Sequence, residues 1–212
     1  MNERKERKRL KVLIPVMAMA LGLSLLFCSG YLILGNYLED QKAGTYARDV
    51  DQILDYHIDE SPMAAYLSNP EFIPDYKIDP EMPMPVCSVD HLDYIGQLAI
   101  PALDLELAVQ SELSYPGLKK SPCRYTGSAY LNDMTIAAHN YKTHFGGLKN
   151  LEAGDAVNFT DMDGNLFQYQ VMKLEEIDPR PIEQVTESGH DLVLFTCTLG
   201  GATRVAVYCD LI

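Results

Sequence analysis

Apolar and polar positions divide the chain into three stretches of different character. Residues 12–38 carry no charge, residues 39–90 are polar and rich in proline, and residues 91–212 contain short apolar runs separated by turn residues. Short runs of this kind, rich in β-branched and aromatic residues, are typical of β-strands. We therefore predict an apolar helix, a connecting segment and an all-β domain, in that order along the chain.

Eight strands are predicted in the C-terminal stretch. They are expected near residues 93–100, 103–110, 124–130, 134–138, 155–160, 166–177, 192–197 and 204–211. Asp163-Gly164 is a strong hairpin signal between two of them, and Gly146 to Leu151 indicate a short helix. This many short strands in a domain of about 120 residues favours a closed barrel or a sandwich.

The first stretch predicts a membrane anchor. Its apolar heart, residues 12–34, would span roughly 34 Å as a helix, enough for a hydrocarbon core of about 30 Å. The basic residues lie in the preceding segment, residues 1–11. By the positive-inside rule we expect a cytoplasmic tail at 1–11, a transmembrane signal anchor at 12–38, and the rest of the chain outside the plasma membrane.

Two other leader types are weaker matches to this stretch. Ala18-Met-Ala20 has the small-x-small form of a signal-peptide cleavage site, but it falls inside the apolar run instead of after it. Cys28 could carry a lipid, yet the bulky Phe27 precedes it where such sites take small residues. An uncleaved anchor is the interpretation we favour.

Residues 39–90 form the predicted stalk and linker. Gly35 to His57 have apolar residues near helical spacing and could continue the helix. Six of the twelve prolines then fall between Pro62 and Pro85. Because proline lacks an amide donor and restricts the residue before it, we predict an extended connector there and not a packed element.

Charge and cysteine content exclude several function classes. Residues 1–11 contribute +4 to the net charge of −13, so residues 12–212 carry −17. Such an acidic domain does not suit nucleic acid, which needs a basic face. The five cysteines form no Cys-x-x-Cys motif that would indicate zinc. A Cys87–Cys123 disulfide remains open, because sequence alone cannot pair cysteines.

The stretch with the clearest chemistry runs from Asp191 to Arg204. A buried strand ends in Thr196 and Cys197, Gly200 and Gly201 allow a reversal, and Arg204 opens the last strand. If the two strands form a hairpin, the thiol and the guanidinium lie at the same end of the sheet. That pair suits acyl transfer, with attack by sulfur and stabilisation of the oxyanion by the cation. The alternative is an inert, half-buried cysteine.

A second stretch supplies a histidine. Residues 134–138 form an apolar strand that delivers His139 at its end, followed by Asn140 and a loop rich in polar residues and glycine. A histidine held at a strand end is a candidate acid and base for a nucleophilic thiol.

The ordered set of these motifs resembles the sortase family. Tyr94-Ile-Gly-Gln-Leu-Ala-Ile-Pro101 is similar to that family's opening strand, and it is followed by strand–Ala-His139-Asn140, Phe-Gly-x-Leu, Leu-x-Phe-Thr-Cys197-Thr and the downstream Arg204. The similarity runs from about Tyr94 to Ile212. It implies an all-β fold, a closed eight-stranded β-barrel with short helices, in a catalytic domain at residues 91–212.

The resemblance also implies roles for these residues. Cys197 would be the nucleophile, His139 the acid and base, Arg204 the oxyanion clamp, and Thr196 a candidate for substrate binding. The substrates would be secreted proteins with a C-terminal sorting signal of Leu-Pro-x-Thr-Gly type. The acceptor would be an amine of a peptidoglycan precursor or of a pilin. Only six residues separate Cys197 from Arg204, a tight spacing that leaves the sortase class open.

Rival residues have weaker positions. His144 lies in a loop, whereas His139 directly ends a strand. His190-Asp191 resembles a dyad but should lie at the opposite end of the cysteine strand. Arg180, between two prolines, rivals Arg204 but has no strand pairing to fix it.

No cofactor is expected. Some sortases bind calcium through loop carboxylates, which makes Glu175, Glu176 and Asp178 candidates, although a solvated edge is the interpretation we favour. In pilin-building sortases an N-terminal lid carries Asp-Pro-aromatic; here Glu81 follows Asp79-Pro80, which favours a plain spacer.

Two other functions compete with a transpeptidase. One is a membrane-tethered scaffold that binds a sorting-type peptide at an inactive site. The other is a papain-type protease, which is disfavoured because His139 precedes Cys197 and no helix carries the cysteine.

Overall fold

The computed structural model describes residues 2–61, 66, 69, 71–180, 183–198 and 201–212, with backbone alone for residues 2–12 and 184. The chain divides into two compact units, Met1–Glu39 and Asp40–Ile212. The first unit is the beginning of a long helix, α1 (Asn2–Asp59). From Leu13 to Leu38 its apolar side chains are exposed, and α1 is, among the described residues, the one helix long and apolar enough to cross a membrane.

The second unit is a β-barrel with short helices. In chain order its elements are α2 (Asp75–Ile78), β1 (Cys87–Val89), β2 (Leu92–Ile100), a 3-10 helix (Pro101–Leu103), β3 (Leu105–Gln110), α3 (Tyr115–Leu118), β4 (Cys123–Thr126), β5 (Met134–Ala138), a 3-10 helix (Phe145–Asn150), β6 (Ala156–Asp161), β7 (Leu166–Ile177), α4 (Glu183–Thr186), β8 (Leu192–Cys197) and β9 (Arg204–Leu211).

Strand pairing closes the sheet. The order is β1-β2-β3-β4-β5-β8-β9-β7-β6, and β6 pairs again with β2. The predicted closed eight-stranded barrel, β2 to β9, is therefore confirmed, with β1 as an added short strand along the first residues of β2. The hairpin predicted at Asp163-Gly164 joins β6 to β7, and the short helix predicted after the histidine loop is the second 3-10 helix.

Side chains alternate between the inside of the barrel and its outer face, as the pleat requires. Along β8, Leu192 and Leu194 belong to the central core. Val193 and Phe195 belong instead to a second cluster on the outer face, which also contains Ala206. This outer face matters for function, because Cys197 continues the alternation that begins with Val193 and Phe195.

The connecting segment differs from the prediction. We expected residues after the helix to form an unpacked spacer, but Met84 is buried in the central core and Tyr76 packs against it. Tyr76 also stacks on Tyr130, with ring centroids 4.7 Å apart. Proline content limits hydrogen bonding of the backbone, but it does not prevent side chains from packing. Of the six prolines there, Pro62 and Pro70 lie outside the described residues.

The second part of α1, residues 40–59, also belongs to the barrel unit. Val50 and Leu54 are buried in a cluster with Tyr94 of β2. Gln97 donates hydrogen bonds from Nε2 to the Oδ1 atoms of Asp51 (2.9 Å) and Asp55 (2.8 Å). This part of the predicted stalk is helical, as expected, and it is also part of the folded domain.

Candidate active site

Parallel pairing of β5 with β8 brings the predicted histidine and cysteine to one rim of the barrel. The last pair in register is Ala138 with Thr196. His139 directly follows Ala138, and Cys197 directly follows Thr196, so both residues leave neighbouring strands at the same end. Strands in a sheet lie about 4.8 Å apart. The fold therefore places the two groups side by side, although 58 positions separate them in the sequence.

Arg204 is the residue paired with Cys197. The antiparallel register of β8 with β9 ends on Cys197 opposite Arg204. The turn between the strands is closed by Thr198 and Thr203, whose backbone groups bond at 3.0 Å. Gly201 has a positive φ of 72°, as the predicted reversal requires. The other predicted turn residue, Gly200, lies outside the described residues.

The guanidinium of Arg204 is fixed by the same turn. Its Nη1 donates to the carbonyl oxygens of Thr203 (3.2 Å) and Gly201 (3.4 Å). Arginine presents several N–H donors in a rigid plane. Holding one nitrogen on backbone carbonyls orients that plane at the rim where Cys197 ends β8.

Thr196 joins the two strand ends. Its side chain is 3% exposed, and its hydroxyl donates to the carbonyl oxygen of Ala138 at 2.8 Å. Because alternate residues face opposite sides of a sheet, the Thr196 side chain points inward and Cys197 lies on the outer face. This hydrogen bond holds the ends of β5 and β8 together, directly before His139 and Cys197. The substrate-binding role of Thr196 stays a prediction.

Aromatic rings surround His139. The Tyr141 ring lies 5.0 Å from the imidazole, and Tyr115 of α3 approaches edge-on at 6.2 Å. Tyr115 is 73% exposed, so the imidazole is covered on that side by a ring that itself faces solvent. Neither tyrosine was predicted from the sequence as a neighbour of His139. Tyr141 could have been found by its position two residues after His139, whereas nothing local to Tyr115 indicates this contact.

His144 lies inside the protein, not on the surface. It is completely buried, and burial together with the nearby His139 lowers its pKa from 6.5 to about 4. A group with that pKa is neutral at physiological pH and is a poor proton donor there. This favours His139 over His144 as the acid and base.

The other rivals have weaker positions. His190 and Asp191 precede β8, at its opposite end from Cys197, as predicted. His190 instead bonds Asp210, with Nδ1 to Oδ1 at 2.7 Å. Arg180 follows the end of β7 that pairs with Arg204, so it lies near this rim, but it is in an exposed bend and belongs to none of the strand pairs.

The other cysteines have different surroundings. All five cysteines, Cys197 included, lie in described parts of the chain and are free thiols. The Cys87–Cys123 disulfide that the sequence left open is therefore not formed. Burial raises the pKa of Cys123 to about 11 and that of Cys209 to about 12. Thiols with such pKa values are almost entirely protonated near neutral pH and are unreactive. Cys197 is half-buried at a strand end instead.

The carboxylates considered for calcium have separate partners. Glu175 pairs with Lys173 at 3.2 Å, whereas Glu176, on the opposite face of β7, accepts a hydrogen bond from Thr203. Within the described parts of the chain no group of three or more His, Cys, Asp or Glu side chains is arranged to hold a metal.

Comparisons with known proteins identify the family of this domain. A family model described as a sortase domain matches residues 98–212. Sortase A of Bacillus anthracis is 26% identical over 185 residues, which cover 82% of this chain and 83% of that protein.

Solved structures show the same fold. Sortase C of Streptococcus pneumoniae has a TM-score of 0.51 and 25% identity, covering 59% of this chain and 70% of that one. A sortase D5 transpeptidase of Clostridium perfringens has a TM-score of 0.50 and 19% identity, with coverage of 57% and 79%. The family model spans more than half of the sequence, and the chain belongs to the sortase family.

Proposed function

We propose that this protein is a membrane-anchored cysteine transpeptidase. It cleaves a C-terminal sorting signal of Leu-Pro-x-Thr-Gly type on secreted proteins and transfers the acyl group to an amine of the cell wall or of a pilin. Family membership supports transpeptidation of sorting signals in general. The observation that carries the proposal for this chain is the register that ends β8 on Cys197 beside Arg204 and beside the strand leading to His139.

The first half of the reaction is acylation of the enzyme. The Cys197 thiolate attacks the scissile carbonyl carbon, forming a C–S bond, while Arg204 stabilises the oxyanion. As the C–N bond breaks, the imidazolium of His139 gives its proton to the departing amine. The products of this step are a thioester on Cys197, a neutral His139 and the released C-terminal peptide.

The second half regenerates the enzyme. The acceptor amine attacks the thioester carbon, a new C–N bond forms and the C–S bond breaks, so that Cys197 leaves as a thiolate. His139 takes the proton that the amine loses, which restores the starting thiolate–imidazolium pair. Water in place of the amine gives slow hydrolysis.

The apolar helix supports membrane anchoring. From Leu13 to Leu38 it is exposed and apolar, and basic residues 1–11 precede it. We propose that the N-terminus lies in the cytoplasm and the barrel outside the cell. In that orientation the enzyme meets secreted substrates as they leave the membrane.

The function is tested with the full-length chain in detergent, a quenched Leu-Pro-x-Thr-Gly peptide and an amine acceptor. Cys197→Ala is expected to abolish cleavage and transfer, because the covalent intermediate cannot form. Arg204→Ala is expected to lower kcat by roughly 10² to 10³, the usual effect of losing an oxyanion donor, and Arg204→Lys should restore only part of it.

Cys87→Ala is the matched control, since Cys87 is a half-buried thiol on β1, which pairs with β2 and not with the strands that carry Cys197, His139 and Arg204. It should retain the activity of the wild type. Full turnover by Cys197→Ala would disprove the nucleophile. Binding of the peptide by the wild type without any turnover would instead favour the scaffold function.

A further inference from the structure

Thr143 in the loop after His139 is bound by the beginning of the barrel unit. Its backbone N–H donates to Oδ1 of Asp40 at 3.1 Å. Its hydroxyl contacts the same Oδ1 at 2.7 Å and the Asp40 carbonyl oxygen at 3.1 Å. Asp40 is 8% exposed, and hydrogen bonds of a buried carboxylate are among the stronger ones in proteins. Residues 103 positions apart are therefore joined by three contacts.

Gly44, one helical turn after Asp40, allows this approach. A Cβ atom at position 44 would lie 2.5 Å from Cγ2 and 2.9 Å from Cβ of Thr143. Both distances are shorter than real side-chain contacts. The helix can therefore lie against Thr143 only because residue 44 has no side chain.

The loop that Thr143 belongs to is short and closed on itself. The amide of Phe145 donates to the carbonyl oxygen of His139 at 3.1 Å, and the amides of His144 and Gly146 donate to Tyr141. Phe145 is completely buried in the core. Because these hydrogen bonds tie residues 139–146 together, we expect a displacement of Thr143 to shift Tyr141 and His139 as well.

We propose that Asp40, Gly44 and Thr143 form a clamp that positions the His139 imidazole relative to Cys197. The inference rests on the proposed function, in which His139 transfers the proton. Asp40 and Thr143 do not touch the reacting atoms in this scheme; they are positioning residues that act through the loop. The segment of α1 that begins at Asp40 then helps to position the active site.

Positioning predicts a specific kinetic signature. A small misplacement of a reacting group can lower the rate of the chemical step by about 10²-fold without changing substrate affinity. Asp40→Ala and Thr143→Val are expected to lower kcat about ten-fold or more, with KM within about two-fold of the wild type. Asp40→Asn and Thr143→Ser retain the acceptor oxygen and the hydroxyl, and should recover most of kcat.

Gly44→Ala adds an independent test. The new methyl group should displace Thr143 and lower kcat in the same way. Combining it with Thr143→Ser removes Cγ2, the nearest atom to that methyl group, and should restore part of the loss. Asp49→Ala is the control, because Asp49 lies exposed on the same helix. Unchanged kcat in both Asp40→Ala and Thr143→Val, or a rise of KM alone, would overturn the clamp.

A second readout does not depend on turnover. The full-length chain contains five histidines, whose ring carbons give separate NMR signals that single substitutions assign. Asp40→Ala and Thr143→Val should shift the His139 and His144 signals and leave those of His91 and His190 in place, which also reports an intact fold. Asp40→Asn should leave the His139 signal unchanged, whereas the His144 signal responds to the lost charge of Asp40 directly, so the His139 signal decides the test.

These outcomes separate the two proposals. A wild-type chain that turns over no sorting peptide disproves the proposed function, whereas the clamp is still decided by the NMR signals. An unshifted His139 signal in Asp40→Ala and Thr143→Val disproves the clamp even if the wild type is an active transpeptidase.

Discussion

Gly127 and Gly189 have nearly the same backbone conformation and very different surroundings. Their φ angles are 75° and 76°, in the left-handed region that side-chain-bearing residues avoid. A Cβ at Gly127 would lie 2.1 Å from the carbonyl oxygen of Asp133, whereas a Cβ at Gly189 would meet nothing within 4 Å. Substituting each glycine by alanine therefore measures backbone strain alone at Gly189, and backbone strain plus a steric clash at Gly127.

Alanine at the two positions should give unequal losses of stability. Gly189→Ala introduces only the strain of a positive φ, about 1 kcal/mol. Gly127→Ala adds a clash with the backbone that closes the turn before β5, and we expect a total of roughly 3 kcal/mol or more. The measurement is the free energy of unfolding from urea titration of both variants. Equal losses would show that the turn at Gly127 relaxes without cost.

The positions of the candidate site residues could be predicted from the sequence where short stretches around them determine the local structure. Cys197 and Arg204 lie on two strands joined by a tight turn, and His139 ends a strand, so periodicity and turn residues place each of them. Asp40 and Thr143 have no such signal. An aspartate that follows an apolar stretch is usually solvated, and only the folded chain shows that Asp40 is buried against a loop 103 positions away.

At the scale of elements, the strands were predicted well because their length and turn signals are short-range properties. The predicted strand near 124–130 is the main exception, since β4 ends at Thr126. Beyond it, Ser128 and Asp133 form a hydrogen-bonded turn, with the Ser128 amide donating to Oδ1 of Asp133 at 2.8 Å. Side-chain bonds of Ser and Asp to the backbone compete with strand pairing in this way.

The second part of α1 offers a test of an element whose packing the sequence did not predict. Leu54 is 0% exposed and its neighbour Ile53 is 47% exposed, so one faces the barrel and the other faces solvent. Leu54→Ala should cost about 2 to 5 kcal/mol of stability, as for other buried leucines. Ile53→Ala should stay within about 0.5 kcal/mol, since surface substitutions have small effects.

Thermal or chemical unfolding of the full-length chain measures both variants. The comparison is direct because the two substitutions remove similar side chains from adjacent positions on one helix. Equal and small losses would mean that α1 does not pack on the barrel in solution, and the clamp at Asp40 would lose its structural basis.

At the scale of the whole molecule, the folded domain begins before the first barrel strand, because side chains that precede this strand pack into the core of the domain. Proline and charge in residues 39–90 indicate a connector, so the predicted catalytic domain began at residue 91. The compact unit begins at Asp40 instead. Composition describes what the backbone of a segment can do, but it does not reveal that Met84 fills a space in the core.

Two truncations distinguish these boundaries. A chain of residues 40–212 keeps the whole compact unit and should fold cooperatively, with the same unfolding transition as the barrel in the full-length protein. A chain of residues 91–212 loses β1 and α1, and it leaves the side chains of Tyr94 and Gln97 without the helix residues that cover or bond them. Exposed apolar surface of this kind promotes aggregation.

The shorter chain should therefore be recovered largely as aggregate, or unfold at a much lower temperature than the longer one. Size-exclusion chromatography and circular dichroism on both chains measure the difference. A chain of residues 91–212 that is monomeric and as stable as residues 40–212 would show that the helix and β1 are dispensable. The barrel would then be the complete folding unit, and the contacts of Asp40 with the histidine loop would contribute nothing to it.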